Sequence, residues 1–241
     1  MEEKDLLELL DSDEKPFEKD DKALEAKKSG GNPNSKFKGV RLWDKLDFVP
    51  KKLELEKMKK VGDSYAWYVN LVEESIPEET QKKILSLVGV LGKKGYTLRL
   101  TPDKTDKLGL AMLSVEDCKS IETYLPWGKF NEDIAEPTLK FPKSVGYEIA
   151  KGYTKVFDKV PAAVRAFYAT RAHVFAGVTG DNPINFLICY TEGGAEGFKK
   201  GFDYKKEGSL GFFIAMCNEL NIPIFNLKND ESFKRLVKLL A

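Results

Sequence analysis

Residues 184–211 read INFLICYTEGGAEGFKKGFDYKKEGSLG, and the three parts of this stretch decide the fold class. INFLICY (184–190) is apolar but for Asn185 and rich in β-branched and aromatic residues, as suits a strand buried on both faces. TEGGAEG (191–197) follows as a glycine-rich loop, with Gly201 and the GSLG run at 208–211 further on. LGFFIAMCNEL (210–220) then carries an apolar helical pattern. Strand, glycine loop and helix in that order belong to a parallel α/β sheet, where glycines before a helix let backbone N–H groups approach an anion. A long loop that simply needs glycine is the competing reading of the same residues.

The chain repeats this alternation on either side. Upstream, YAWYVNLV (65–72) is a first strand, and Pro77 with Glu78 and Glu79 opens a helix whose missing N–H costs nothing and whose acids meet the positive dipole end. Ile84, Leu87, Val88 and Leu91 fall at helical spacing and Gly95 stops the run. YTLRL (96–100) is a second strand, 107–114 a short helix, SIETYL (120–125) a third strand, and 144–157 and 161–176 two helices. Downstream, IPIFNL (222–227) and 232–240 complete strand and helix. The expectation is a doubly wound α/β domain over 61–241: a mostly parallel five-stranded Rossmann-like sheet with helices on both faces and ligands at the carboxyl ends of its strands.

Composition bounds the rest. Residues 1–38 hold eleven acids and eight lysines, net −3, and end in SGGNPNS, so they read as a disordered charged arm. Leu6, Leu7, Leu9 and Leu10 give that arm one apolar turn that could dock on a protein partner. Residues 39–60 read as a connecting strap, with Trp43, Leu46, Phe48 and Val49 against the domain edge. The whole chain carries +1, so no strong field selects nucleic acid or membrane. Three cysteines, an odd number without C-x-x-C spacing, suggest neither a disulfide framework nor a zinc site, and a reducing cytoplasm is expected. No apolar run approaches the ~18 residues of a membrane span, and the acidic start is unlike a signal peptide. No membrane partner and no required cofactor are expected.

Side chains that could hold a ligand lie near strand ends. RLTPDKTD (99–106) sets Arg99 and Lys104 beside hydroxyls that could clamp phosphate, although a solvated turn fits equally. Arg165 and Arg171 are six apart in PAAVRAFYATRAHVFAG (161–177), and His173, the chain's one histidine, reads as structural. No nucleophile and base can be paired, so no catalytic residue is assigned. G-x-G-x-x-G is missing after the first strand, which disfavours an ordinary dinucleotide fold.

The order of GKKGYTLR (92–99), ETYLPW (122–127) with Phe130 and Asn131, VRAFYATRAHVFAG (164–177), NFLICYTEGGAEG (185–197) and GSLGFFIA with NIPIFNL resembles the SLOG superfamily over residues 61–228. That superfamily groups DNA-processing protein A with the LOG nucleotide phosphoribohydrolases, and the likeness is greatest to a compact bacteriophage-type branch. The resemblance implies a nucleotide-type ligand or single-stranded DNA held by Arg99, Arg171, Thr191, Gly193, Gly194, Gly208 and Ser209. Departures accompany it. Leu100-Thr101-Pro102-Asp103 stands where Ser-Gly-Gly-Ala is usual, Ala172 replaces an asparagine, Gly62-Asp63-Ser64 stands in for a Gly-Ser-Arg near the first strand, and Glu207-Gly208-Ser209 reduces a Gly-Gly-Thr. Phe212 occupies the place of the LOG glutamate, so phosphoribohydrolase activity is not expected.

Three readings follow. The first is a nucleotide or nucleotide-derivative binder with a degenerate pocket. The second is single-stranded nucleic-acid binding through Lys199, Lys200, Lys205 and Lys206. The third is a non-catalytic interaction or virion component. A homodimer is compatible with each.

Overall fold

Five parallel strands in the order β3-β2-β1-β4-β5 form the sheet. They run Ser64–Asn70 (β1), Thr97–Leu100 (β2), Ile121–Thr123 (β3), Phe186–Thr191 (β4) and Ile224–Asn226 (β5). The computed structural model describes residues 50–59, 62–71, 76–199 and 202–240. The 1–38 arm and most of the 39–60 strap, with Trp43, Leu46, Phe48 and Val49, lie outside the described residues, as does Lys200. The doubly wound α/β expectation holds. The chain builds outward from β1 to β2 and β3, then returns to place β4 on the other side of β1 and continues to β5. β1 and β4 are therefore the neighbours at which the direction of winding reverses, and such a switch point opens a crevice at the carboxyl ends of the strands.

Strand alternation sorts the core into two faces. Tyr65 and Trp67 of β1, Leu98 and Leu100 of β2 and Phe186, Ile188 and Tyr190 of β4 belong to one buried cluster. Helices Glu78–Lys93 (α1), Lys107–Met112 (α2) and Asp230–Leu240 (α7) cover it through Ile84, Leu87, Leu91, Met112, Leu236 and Leu240. Ala66, Tyr68 and Asn70 point to the opposite face, toward Ser144–Tyr153 (α3), Ala162–Ala176 (α4), Tyr204–Glu207 (α5) and Leu210–Leu220 (α6). Tyr68 packs on Phe213 of α6 with ring centroids 5.6 Å apart.

Helix ends follow local chemistry. Pro77 and Pro161 precede α1 and α4, where the missing N–H is harmless. Asp106 caps α2 by accepting from the Gly109 N–H at 2.7 Å, and its other oxygen accepts from the Trp67 indole at 2.9 Å. The helix expected over 144–157 stops at Tyr153, because Thr154 turns extended (φ −120°, ψ 102°), and Phe157 is then buried within a short 3-10 turn, Phe157–Lys159. The four-residue α5 was not anticipated.

Candidate functional site

At the carboxyl ends of β1, β4 and β5, four polar side chains stand on the α4/α6 side of the sheet: Tyr68, Asn70, Thr191 and Asn226. All four are buried. What satisfies them is the glycine-rich loop and its return through α5.

Glu207 is the centre of this arrangement. It ends α5, is only 2% exposed, and its carboxylate sits inside the turn that follows β4. The Thr191 hydroxyl donates to Oε2, and the Ala195 N–H donates to Oε1 at 3.1 Å. A Cβ placed on Gly193 would lie 2.0 Å from that Oε1, so glycine there is a demand of packing. Burial pushes the Glu207 carboxyl above the ordinary carboxylate range, against the opposing pull of the Thr191 and Ala195 hydrogen bonds.

A second set, in which Asn226 and Ser232 are buried and Glu196 half-buried, ties the same loop to β5 and α7. The Asn226 amide donates to Thr191 Oγ1 at 2.6 Å and to the Ala195 carbonyl at 2.9 Å. Glu196 accepts from the Asn226 N–H at 2.9 Å, from the Ser232 hydroxyl, and from Arg235 at 2.6 Å. Asn229 donates to the Gly194 carbonyl at 2.8 Å. The first half of the loop is thus bonded at Thr191, Gly194, Ala195 and Glu196, and satisfied polar networks of this kind favour one geometry.

Beside it, Gly208, Ser209, Tyr68 and Arg171 come together at the start of α6. Gly208 has φ +55°, and a Cβ there would come within 2.5 Å of the Tyr68 hydroxyl. Tyr68 donates to the Glu207 carbonyl at 3.1 Å, and Ser209 donates to the Tyr68 hydroxyl at 3.2 Å. Ser209 precedes α6 without capping it, so the positive end of this eleven-residue helix is left without a side-chain cap. The half-buried Arg171 guanidinium lies over the Tyr68 ring at 5.1 Å and over Phe167 at 5.9 Å, which holds a cation at the same spot.

Of the residues singled out in the sequence, Arg171, Thr191, Gly193, Gly194, Gly208 and Ser209 gather here. Arg99 does not. It pairs across from Ala66 near the start of β1. Its side chain, 3% exposed, donates to Glu122 at 2.6 Å and to the Asn182 carbonyl at 2.7 Å, bracing β3 against the loop before β4. Tyr68, Asn70, Glu207 and Asn226 were missed: the first two and Asn226 lie within strand runs read only for their apolar pattern, and a carboxylate within the lysine-rich KKEG carries no sign of burial. Lys199, Lys205 and Lys206 are exposed around the loop, and Lys206 lies 3.7 Å from Glu192.

His173 accepts from the Lys143 N–H at 3.0 Å and bonds the Gly177 carbonyl at 2.9 Å, a structural part as expected. Cys118, Cys189 and Cys217 are buried free thiols, each pushed upward by burial. Among the described residues no group of three or more His, Cys, Asp or Glu could hold a metal ion, and no helix is long and apolar enough to cross a membrane. Compared with protein-family models, curated proteins and solved structures, the chain matches none.

Proposed function

We propose that this protein binds a nucleotide-type ligand at the β1/β4 switch point, seating a phosphate between Arg171 and the amino end of α6. The carrying observation is convergence: a guanidinium held over Tyr68, the Ser209 hydroxyl bonded to the same tyrosine, and a helix start without a side-chain cap. A positive helix end beside an arginine is an anion site in physical terms. The resemblance to the SLOG superfamily argues for the same ligand class.

Glu207 refines the reading. The turn at Gly193 and Gly194 already encloses a carboxylate, and a phosphate inside it would meet that charge at close range. In this proposal the turn is a wall of the site, and phosphate is read one step further along, at Gly208, Ser209 and Leu210. Binding alone is proposed, without turnover.

Isothermal titration of the full chain with adenosine and guanosine mono- and diphosphates tests this. Binding by the wild type, weakened about tenfold or more in Arg171→Ala by loss of a charge-assisted contact, is the expected result. Equal binding by wild type and variant, or no binding at millimolar ligand, would reject the site.

A second reading has an observation of its own. Phe198 and Tyr204 are 51% and 55% exposed, both pack on Phe202 at 5.2 and 4.9 Å, and Lys199, Lys205 and Lys206 interleave with them. Exposed rings among lysines suit stacking against single-stranded nucleic acid. That mode gives affinity that falls steeply with salt, whereas a nucleotide seated at Arg171 involves few phosphates and a shallow slope.

A further inference from the structure

A phosphate seated between Arg171 and the start of α6 leaves the aromatic rings just ahead of that helix without a role. Among the described residues the exposed aromatic rings are Phe141, Phe198 and Tyr204, and the last two meet at α6. A Cβ placed on Gly211 would lie 3.3 Å from Tyr204 Cε1, 3.5 Å from Phe198 Cε1 and 3.5 Å from Phe202 Cζ. Three rings therefore converge on one residue of the helix's first turn. Gly211 stands two residues past Ser209, about 3 Å along a helix axis. The rings and the proposed phosphate seat share that turn.

Local chemistry holds the rings in place. Half-buried Phe202 stands between the other two, its centroid 5.2 Å from Phe198 and 4.9 Å from Tyr204, with the planes inclined by 59° and 75°. Phe198 and Tyr204 thus lean on a common support and keep surface open to solvent. Asp203 caps α5 by accepting from the Lys205 N–H at 2.9 Å, and the Tyr204 carbonyl accepts from the Gly208 N–H at 2.8 Å. These bonds tie the backbone of Tyr204 to the glycine at the seat. Exposed Lys199 and Lys205 adjoin the two rings in the chain, so the apolar surface lies in a positive surround that favours an anionic ligand.

We infer that Phe198 and Tyr204 form the platform on which the base of a nucleoside monophosphate stacks while its phosphate occupies the seat between Arg171 and α6. The inference rests on the nucleotide reading above and adds to it the part of the site that meets the base. Stacking uses a π-face, which every base has, so the platform separates a nucleotide from a bare sugar phosphate and does not choose among bases. Two rings at one phosphate seat fit one nucleotide, whereas a strand needs such steps repeated along a basic groove.

Isothermal titration of the full chain with adenosine monophosphate and with ribose 5-phosphate tests it. The wild type is expected to bind the nucleotide about tenfold or more tightly than the sugar phosphate. In Phe198→Leu/Tyr204→Leu, which keeps apolar bulk and removes the π-faces, the two affinities should come within about threefold of each other. Tyr204→Phe should keep the wild-type ratio, because the ring and not the hydroxyl carries the contact. Should the double variant lose its far-ultraviolet spectrum, Phe198→Leu alone reads the same ratio. Equal binding of both probes by the wild type, or a leucine variant with the wild-type ratio, would overturn the platform; the phosphate seat would still stand if Arg171→Ala weakens both probes. Leucine variants that lose affinity for oligothymidylate but not for adenosine monophosphate would also overturn it, by assigning the rings to nucleic acid. A wild type that binds neither probe would remove the nucleotide reading and this inference together.

Discussion

Gly193 and Glu207 are fourteen residues apart and form one feature. The glycine stood out in the sequence, since two adjacent glycines after a buried strand need a reason. The reason offered there was an anion supplied from outside, whereas the structure places an internal carboxylate in the turn. A single glutamate among lysines gives no sign of burial, because burial at that position depends on how α5 folds back. Gly193→Ala puts a methyl group 2.0 Å from Glu207 Oε1, and the carboxylate cannot retreat without giving up the Thr191 and Ala195 bonds. A loss of ~1–3 kcal/mol is expected, measured as a lower urea midpoint at unchanged slope. Stability equal to wild type would mean that the turn is looser than described.

Elements were legible where prolines and glycines punctuate them and where apolar residues keep a period. The five strands and the long helices stand within a few residues of where pattern alone puts them. What pattern does not supply is where a long side chain goes. Arg99 was correctly placed on β2, yet its guanidinium turns away from the carboxyl ends to reach Asn182. His173 works at this scale too, joining the carboxyl end of α4 to the residue before α3 through Gly177 and Lys143. Its Nε2 accepts a hydrogen bond and burial disfavours its charge, so the folded pKa lies below 6.5. Above pH 6.5 both folded and unfolded chains hold it neutral and its contribution is intact. As pH falls below 6.5 the unfolded chain takes the proton first, and that contribution declines until the folded pKa is passed. The stability of wild type relative to His173→Gln should therefore shrink between pH 7.5 and pH 5. With one histidine in the chain, its ring resonances can be titrated without ambiguity, and a midpoint at or above 6.5 would contradict the buried neutral ring.

At the scale of the molecule, the sheet order gives two sides of different character. The α4/α6 side carries the candidate site at the carboxyl ends of β1 and β4, which stay paired to their last residues, and the α1/α7 side carries an apolar groove between its two helices. The strand order, and with it the β1/β4 switch point, is seen only in the structure; the sequence supplied the alternation alone. It did not reveal the polar network that fills the space behind the glycine loop, because Thr191, Glu207, Asn226 and Glu196 come together only across strands and helices far apart in the chain. The proposed seat of the ligand lies between Arg171 and the start of α6. Amide resonances recorded while adenosine monophosphate is added to the full chain locate the site directly. The largest shifts are expected at Gly208, Ser209, Leu210 and Arg171, with smaller ones at Gly193 and Gly194. Shifts confined to Phe198, Lys199 and Tyr204, or none at saturating nucleotide, would contradict that seat.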